Sequence, residues 1–149
     1  MLKEKINDFL SYLETVKQLS NHTTNSYRRD LNKFSDFLSD SAIDTWQEVR
    51  ENEVRSYINK ERRRGLNPRS IQRILSSCRS FFNYLLQERI IDKSPAENIS
   101  SPKSSSLLPK AMDADLVQRL LDFKPNGMFE VRDKAIAELL YSSGLRLSE

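Results

Sequence analysis

Five arginines within twelve residues, Arg62, Arg63, Arg64, Arg69 and Arg73, carry the densest chemistry in this 149-residue chain. Guanidinium forks suit phosphate oxygens and the edges of bases. From Arg55 to Arg79 eight cations stand against one anion, Glu61, so this window carries +7. The chain holds 24 Lys+Arg and 21 Asp+Glu, which leaves 16 cations and 20 anions elsewhere, a balance of −4. Such clustering is the footprint of a nucleic-acid surface. A solvated basic helix end is the plainer alternative, and a helix dipole accounts for Arg62–Arg64 if a helix ends there. It does not account for Arg69 and Arg73, which follow the Asn67-Pro68 start signal of the next helix, where anions rather than cations are favoured. That asymmetry points to phosphate binding.

A second group is Asn25, Arg28, Arg29 and Asn32, on the outer face of an earlier helix. These types make bidentate contacts with phosphate or bases, although exposed residues of this kind are also found merely solvated. His22 is the only histidine and has no partner cluster, so no metal or acid–base centre is expected around it. The single cysteine, Cys78, cannot form an internal disulfide and falls on an apolar helix face, which reads as core packing in a reducing compartment. No apolar run reaches the ~18 residues of a membrane span. The opening MLKEKINDFL lacks a secretory hydrophobic region, so no membrane is expected and the cytoplasm is the expected location.

These side chains need helices to position them. Three Gly, five Pro and 38% hydrophobic residues, with long periodic segments, predict an all-α protein. A first helix is expected over Leu2–Lys17 through Leu2, Ile6, Phe9, Leu10, Leu13 and Val16. Ser20 is expected to cap a second helix to about Leu38, with Tyr27, Leu31, Phe34 and Leu38 inward. Thr45 and Glu48 have the spacing of a capping box, and Trp46 reads as a core anchor. A third helix is expected from Glu51 to Arg64, with Val54, Tyr57 and Ile58 inward. After a stop at Gly65 comes a fourth, with Ile71, Ile74, Leu75, Cys78, Phe82 and Leu85 on one face and Arg69, Arg73, Ser76, Ser80, Asn83 and Gln87 opposite. After Ile91, DKSPAENISSPKSSSLLPK has no helical period and reads as a linker. Asp113 should cap a fifth helix bearing Leu116, Val117, Leu120 and Leu121. KPNG should turn the chain into a sixth over Val131–Ser142, stopped by Gly144. The apolar faces of these last two have little to bury against, and Ser148-Glu149 resembles the start of a further helix. Residues 111–149 therefore read as the opening of an unfinished domain, and the chain as an N-terminal piece of a longer protein.

The series QLSNHTTNSYRRDLNKF, TWQEV, RRRGLNPRSIQRILSSCRSFFNYL, SPAENISSPK, LPKAMDADLVQRLLD and RDKAIAELLYSSGLRLSE resembles the N-terminal half of the Xer-type tyrosine recombinases, on their XerC branch. The similarity runs through the whole chain in order, and SGLRLSE is its most specific segment. The resemblance implies a four-helix SAM-like core-binding domain over 1–98, a linker over 99–110 and the first helices of a truncated catalytic domain over 111–149. It implies a two-domain clamp around a duplex recombination site, with the second and fourth helices toward the major groove. The implied DNA-binding set is Asn25, Arg28, Arg29, Arg62, Arg63, Arg64, Arg69, Arg73, Ser76 and Ser80.

The family's chemistry is attack of a tyrosine on a phosphodiester to give a 3′-phosphotyrosyl link, with arginines stabilising the charged phosphate. Of that set only the first arginine maps here, onto Arg146. Tyr141 should be core, and Tyr12, Tyr27, Tyr57 and Tyr84 belong to bundle helices, so the chain alone is expected to bind DNA without cutting it. Neither metal nor cofactor is implied. A XerD-like partner recombinase in a tetramer and a DNA translocase as regulator are implied in turn, with chromosome dimer resolution at cell division as the expected task and integration of a phage or element as its alternative. Two other classes stay open: a helical DNA-binding transcriptional regulator, and a protein-interaction helical bundle.

Overall fold

The computed structural model describes residues 2–102, 112–144 and 146. Every regular element among them is helical: α1 (Leu2–Thr15), α2 (Asn21–Asp40), α3 (Glu51–Arg63), α4 (Pro68–Gln87), α5 (Ala114–Leu121) and α6 (Met128–Ser143). The chain divides into two compact units, Met1–Ser105 and Ser106–Glu149.

In the first unit α4 is central, packing on α1, α2 and α3. Its start is local chemistry. The Asn67 side chain accepts the Arg69 backbone N–H at 2.9 Å, and Pro68 takes a first-turn position whose N–H needs no partner. Gly65, at φ 81°, turns the chain between α3 and α4 in a left-handed conformation that a side chain would strain. The expected inward face of α4 is buried in full, together with Ser77 and Phe81. Aromatic rings knit this helix to the others: Phe81 meets Phe9 at 5.4 Å and Trp46 at 4.6 Å, and Phe82 meets Phe34 at 6.3 Å, all edge-on. Trp46 is the anchor expected of it, and its indole N–H donates to the Leu2 carbonyl at 3.2 Å.

Three local expectations are corrected. Helix α1 stops at Thr15, two residues early, so Val16 has no helical register to carry it inward and is 65% exposed. Thr45 and Glu48 form a turn rather than a helix cap. The helix begins six residues beyond Thr45, where Glu53 accepts the Arg50 backbone N–H at 2.8 Å, the carboxylate half of a capping box. The stretch after Ile91 is no free linker up to residue 102. Ile91, Ser94, Pro95, Ala96 and Ile99 are buried, and the flank of α4 holds them. There Arg79 donates to the Ala96 and Ile99 carbonyls, and Gln72 to the Pro102 carbonyl at 2.8 Å. Most of the expected 99–110 linker lies outside the described residues.

In the second unit α5 is capped by Asp113, and α6 is ended by Gly144 at φ 66°. Helix α6 starts at Met128, one turn before Val131, directly after Gly127. Neither helix buries a residue among the described residues. Tyr141 is exposed rather than core, because nothing covers its face of α6 among the described residues. Ser148 and Glu149 lie outside the described residues.

Candidate nucleic-acid interface

The sequence-derived residues sit on three elements. Asn25, Arg28 and Arg29 are on α2, with Asn25 and Arg29 exposed and Arg28 half-buried. Arg62 and Arg63 end α3, and Arg64 follows as its C-cap. On α4, residues 69, 73, 76 and 80 fall within an arc of about 60° at 100° per residue, so they form one stripe. Helices α2 and α4 pack directly, which brings the first and last of these groups onto neighbouring helices.

Pairing divides the basic window into committed and uncommitted cations. Arg55 pairs with Glu51, Arg28 with Glu14 at 3.3 Å and Arg64 with Glu61 at 2.9 Å. Arg79 is spent on the carbonyls described above, and the Lys60 ammonium lies 4.9 Å from the centre of the Phe37 ring. Arg29 donates to Ser26 Oγ at 3.3 Å. Among the described residues Arg62, Arg63 and Arg69 enter no ion pair and are exposed. These three are therefore the cations best able to exchange water for phosphate.

Arg73 is different. Its Nε donates to Asp30 Oδ2 at 2.8 Å and its Nη2 to Asp30 Oδ1 at 2.9 Å, a side-on fork. The Asp30 side chain is only 5% exposed, whereas that of Arg73 is 43% exposed. These hydrogen bonds lead in raising the Arg73 pKa above its ordinary value, so the guanidinium stays charged. Sequence reasoning missed Asp30. The signal was present: Asp30 stands between Tyr27 and Phe34 on the inward stripe of α2, and an acid there must find a cation.

The remaining candidates for chemistry behave as packing. Cys78 is fully buried, and burial pushes its thiol up to about 12. His22 is exposed in the first turn of α2. No group of acids, Cys and His that could hold a metal occurs among the described residues, and no helix there is long and apolar enough to cross a membrane. Arg146 lies just beyond the Gly144 cap and is exposed.

Comparison with known proteins places this geometry. Residues 6–89, which run from within α1 to just past the end of α4, match the family model "Phage integrase, N-terminal SAM-like domain". Tyrosine recombinase XerC of Xanthomonas campestris pv. campestris (strain B100) is 40% identical over 144 residues, covering 97% of this chain and 45% of the relative. XerC of Actinobacillus pleuropneumoniae serotype 7 (strain AP76) is 42% identical over 141 residues, covering 95% of this chain and 46% of the relative. XerC of Escherichia coli O139:H28 is 38% identical over 148 residues, covering 99% and 50%. The chain thus spans about half the length of the curated relatives it matches. With a four-helix unit built around α4 and these relatives along nearly all its length, the chain belongs to the phage integrase N-terminal SAM-like family, in its XerC-type tyrosine recombinase branch.

Proposed function

We propose that the four-helix unit binds duplex DNA across α2 and α4, as the DNA-gripping part of a site-specific tyrosine recombinase. The observation that carries this reading is the exposed basic set Arg62, Arg63 and Arg69, next to the polar stripe of α4. The buried acids Asp30 and Glu61 neutralise Arg73 and Arg64, while Arg62, Arg63 and Arg69 stay open to solvent. Arg62 and Arg63 serve phosphates, while Asn25, Arg29, Ser76 and Ser80 lie on faces suited to the groove. Arg28 and Arg64, each already paired, contribute through the same surface by exchanging a carboxylate for a phosphate.

The wider reading follows the relatives' printed name, tyrosine recombinase XerC. Residues 1–98 act as the core-binding domain, 99–110 as the linker and 111–149 as the start of the catalytic domain. There Arg146 stabilises the charge of the reacting phosphate. The nucleophilic tyrosine lies outside these residues. The partners are a duplex recombination site, a XerD-like second recombinase in a tetramer and a DNA translocase that regulates it; the setting is the cytoplasm and the task chromosome dimer resolution.

Fluorescence anisotropy with labelled duplexes at several salt concentrations tests the DNA reading. Each phosphate contact adds about 0.9 to the slope of log affinity against log salt. Arg69→Ala is expected to lower that slope by about this amount and to weaken binding. Binding that ignores salt, or that survives Arg69→Glu and Arg62→Glu unchanged, would remove this face as the DNA surface.

A further inference from the structure

Arg73 stands at the centre of the α4 stripe, yet its charge is already matched by Asp30 on α2, 43 residues earlier in the chain. A guanidinium has two forks. The side-on fork, Nε with Nη2, is filled by the carboxylate at 2.8 and 2.9 Å. The end-on fork, made of the outward hydrogens of Nη1 and Nη2, has no protein acceptor among the described residues, and the side chain that carries it is 43% exposed. Because two bonds to a buried carboxylate fix the guanidinium plane, the end-on fork is presented in one orientation. Ordering it on binding therefore costs little conformational entropy.

Resting on the DNA-binding reading above, we propose that Asp30 is a positioning residue that turns Arg73 into a preorganised reader of a guanine edge rather than a phosphate clamp. The ligand follows from electrostatics. With Asp30 beside it, Arg73 brings no net charge to the surface, and the neighbouring carboxylate opposes a phosphate. A neutral pair of acceptors feels no such opposition. Guanine O6 and N7 offer two acceptors side by side in the major groove, with the spacing of an end-on fork. The labour on this surface is then divided: Arg62, Arg63 and Arg69 supply charge, and Arg73 supplies sequence discrimination.

The test uses the 149-residue chain, a duplex selected by it from a random-sequence pool, and a scrambled duplex of the same composition. Asp30→Asn releases Arg73 from its carboxylate. It is expected to reduce discrimination between the two duplexes roughly tenfold and to steepen the salt slope on the scrambled duplex by about 0.9, as an uncompensated cation gains a phosphate. A merely structural ion pair would move thermal stability without raising that slope. Arg73→Lys keeps the charge but has no fork, and should lose discrimination alike with the slope unchanged; it carries the test if Asp30→Asn does not fold. Replacing single guanines of the selected duplex by 7-deazaguanine should weaken wild-type binding at one position and leave Arg73→Gln indifferent there. Discrimination that stays within twofold in both Asp30→Asn and Arg73→Lys overturns the proposal while leaving DNA binding intact. Absence of any duplex binding by the wild-type chain overturns instead the reading on which it rests.

Discussion

The two units use the same helical vocabulary to opposite ends. In α1 to α4 every amphipathic face is closed, with Phe9, Phe34, Tyr57, Phe81 and Phe82 among the largest buried side chains. In α5 and α6 the caps are equally well made, at Asp113 and Gly144, yet Leu116, Leu120, Met128 and Phe129 remain exposed. The difference teaches that caps define where a helix begins and ends, while only packing makes it a stable part of a domain.

The largest test of that contrast is deletion of a ring in each unit. Phe81→Ala is expected to destabilise the bundle by about 3–5 kcal/mol, since it removes edge-on partners of Phe9 and Trp46 and leaves a cavity. Phe129→Ala should change the stability of the same transition by less than ~0.5 kcal/mol, because an exposed ring loses little. Urea unfolding followed by tryptophan fluorescence reports on Trp46 and hence on the bundle. Equal effects would erase the distinction between the units.

A second test uses the buried thiol. Cys78 ionises near 9 when free and is pushed up to about 12 by burial in the folded chain. Its folded pKa is raised, so its contribution to stability is complete below pH 9. Above that the unfolded chain releases the proton first, and stability falls by on the order of 1 kcal/mol per pH unit until about 12. Cys78→Ala should flatten this alkaline slope. Native Cys78 should also resist maleimide at pH 8, whereas a cysteine placed in α5 by Leu120→Cys should react at once.

The smallest effect concerns Tyr57, whose hydroxyl is the one buried side-chain polar atom without a hydrogen-bond partner among the described residues. Tyr57→Phe removes an unpaired group while keeping the ring against Phe34 and Phe37. Stability should be unchanged or rise by up to about 1 kcal/mol in the same urea titration. A loss above that size would mean the hydroxyl does find a partner.

What could be read from sequence was local. The Asn67-Pro68 start, the Ser20 cap, the Gly65 and Gly144 stops and the inward stripe of α4 depend on residues within a turn of one another. Each stands where its spacing placed it. Two features were hidden because they depend on contacts distant in sequence. Asp30 meets Arg73 across 43 residues, so the +7 window overstates the charge available to a ligand. The serine- and proline-bearing stretch 94–99 has linker composition, yet Arg79 and Gln72 on the flank of α4 hold it or its continuation to the bundle. Val16 failed because its helix ends one residue before it, and Tyr141 because periodicity states which face a residue is on, not whether anything covers it.

The central claim is that one unit grips duplex DNA through α2 and α4. A ¹⁵N-resolved NMR titration of the chain with a duplex tests it most directly, residue by residue. Shifts concentrated at Asn25, Arg28, Arg29, Arg69, Arg73, Ser76 and Ser80, with α5 and α6 unmoved, are the predicted result. Shifts confined to α5 and α6, or to the side of the bundle formed by α1, would contradict it.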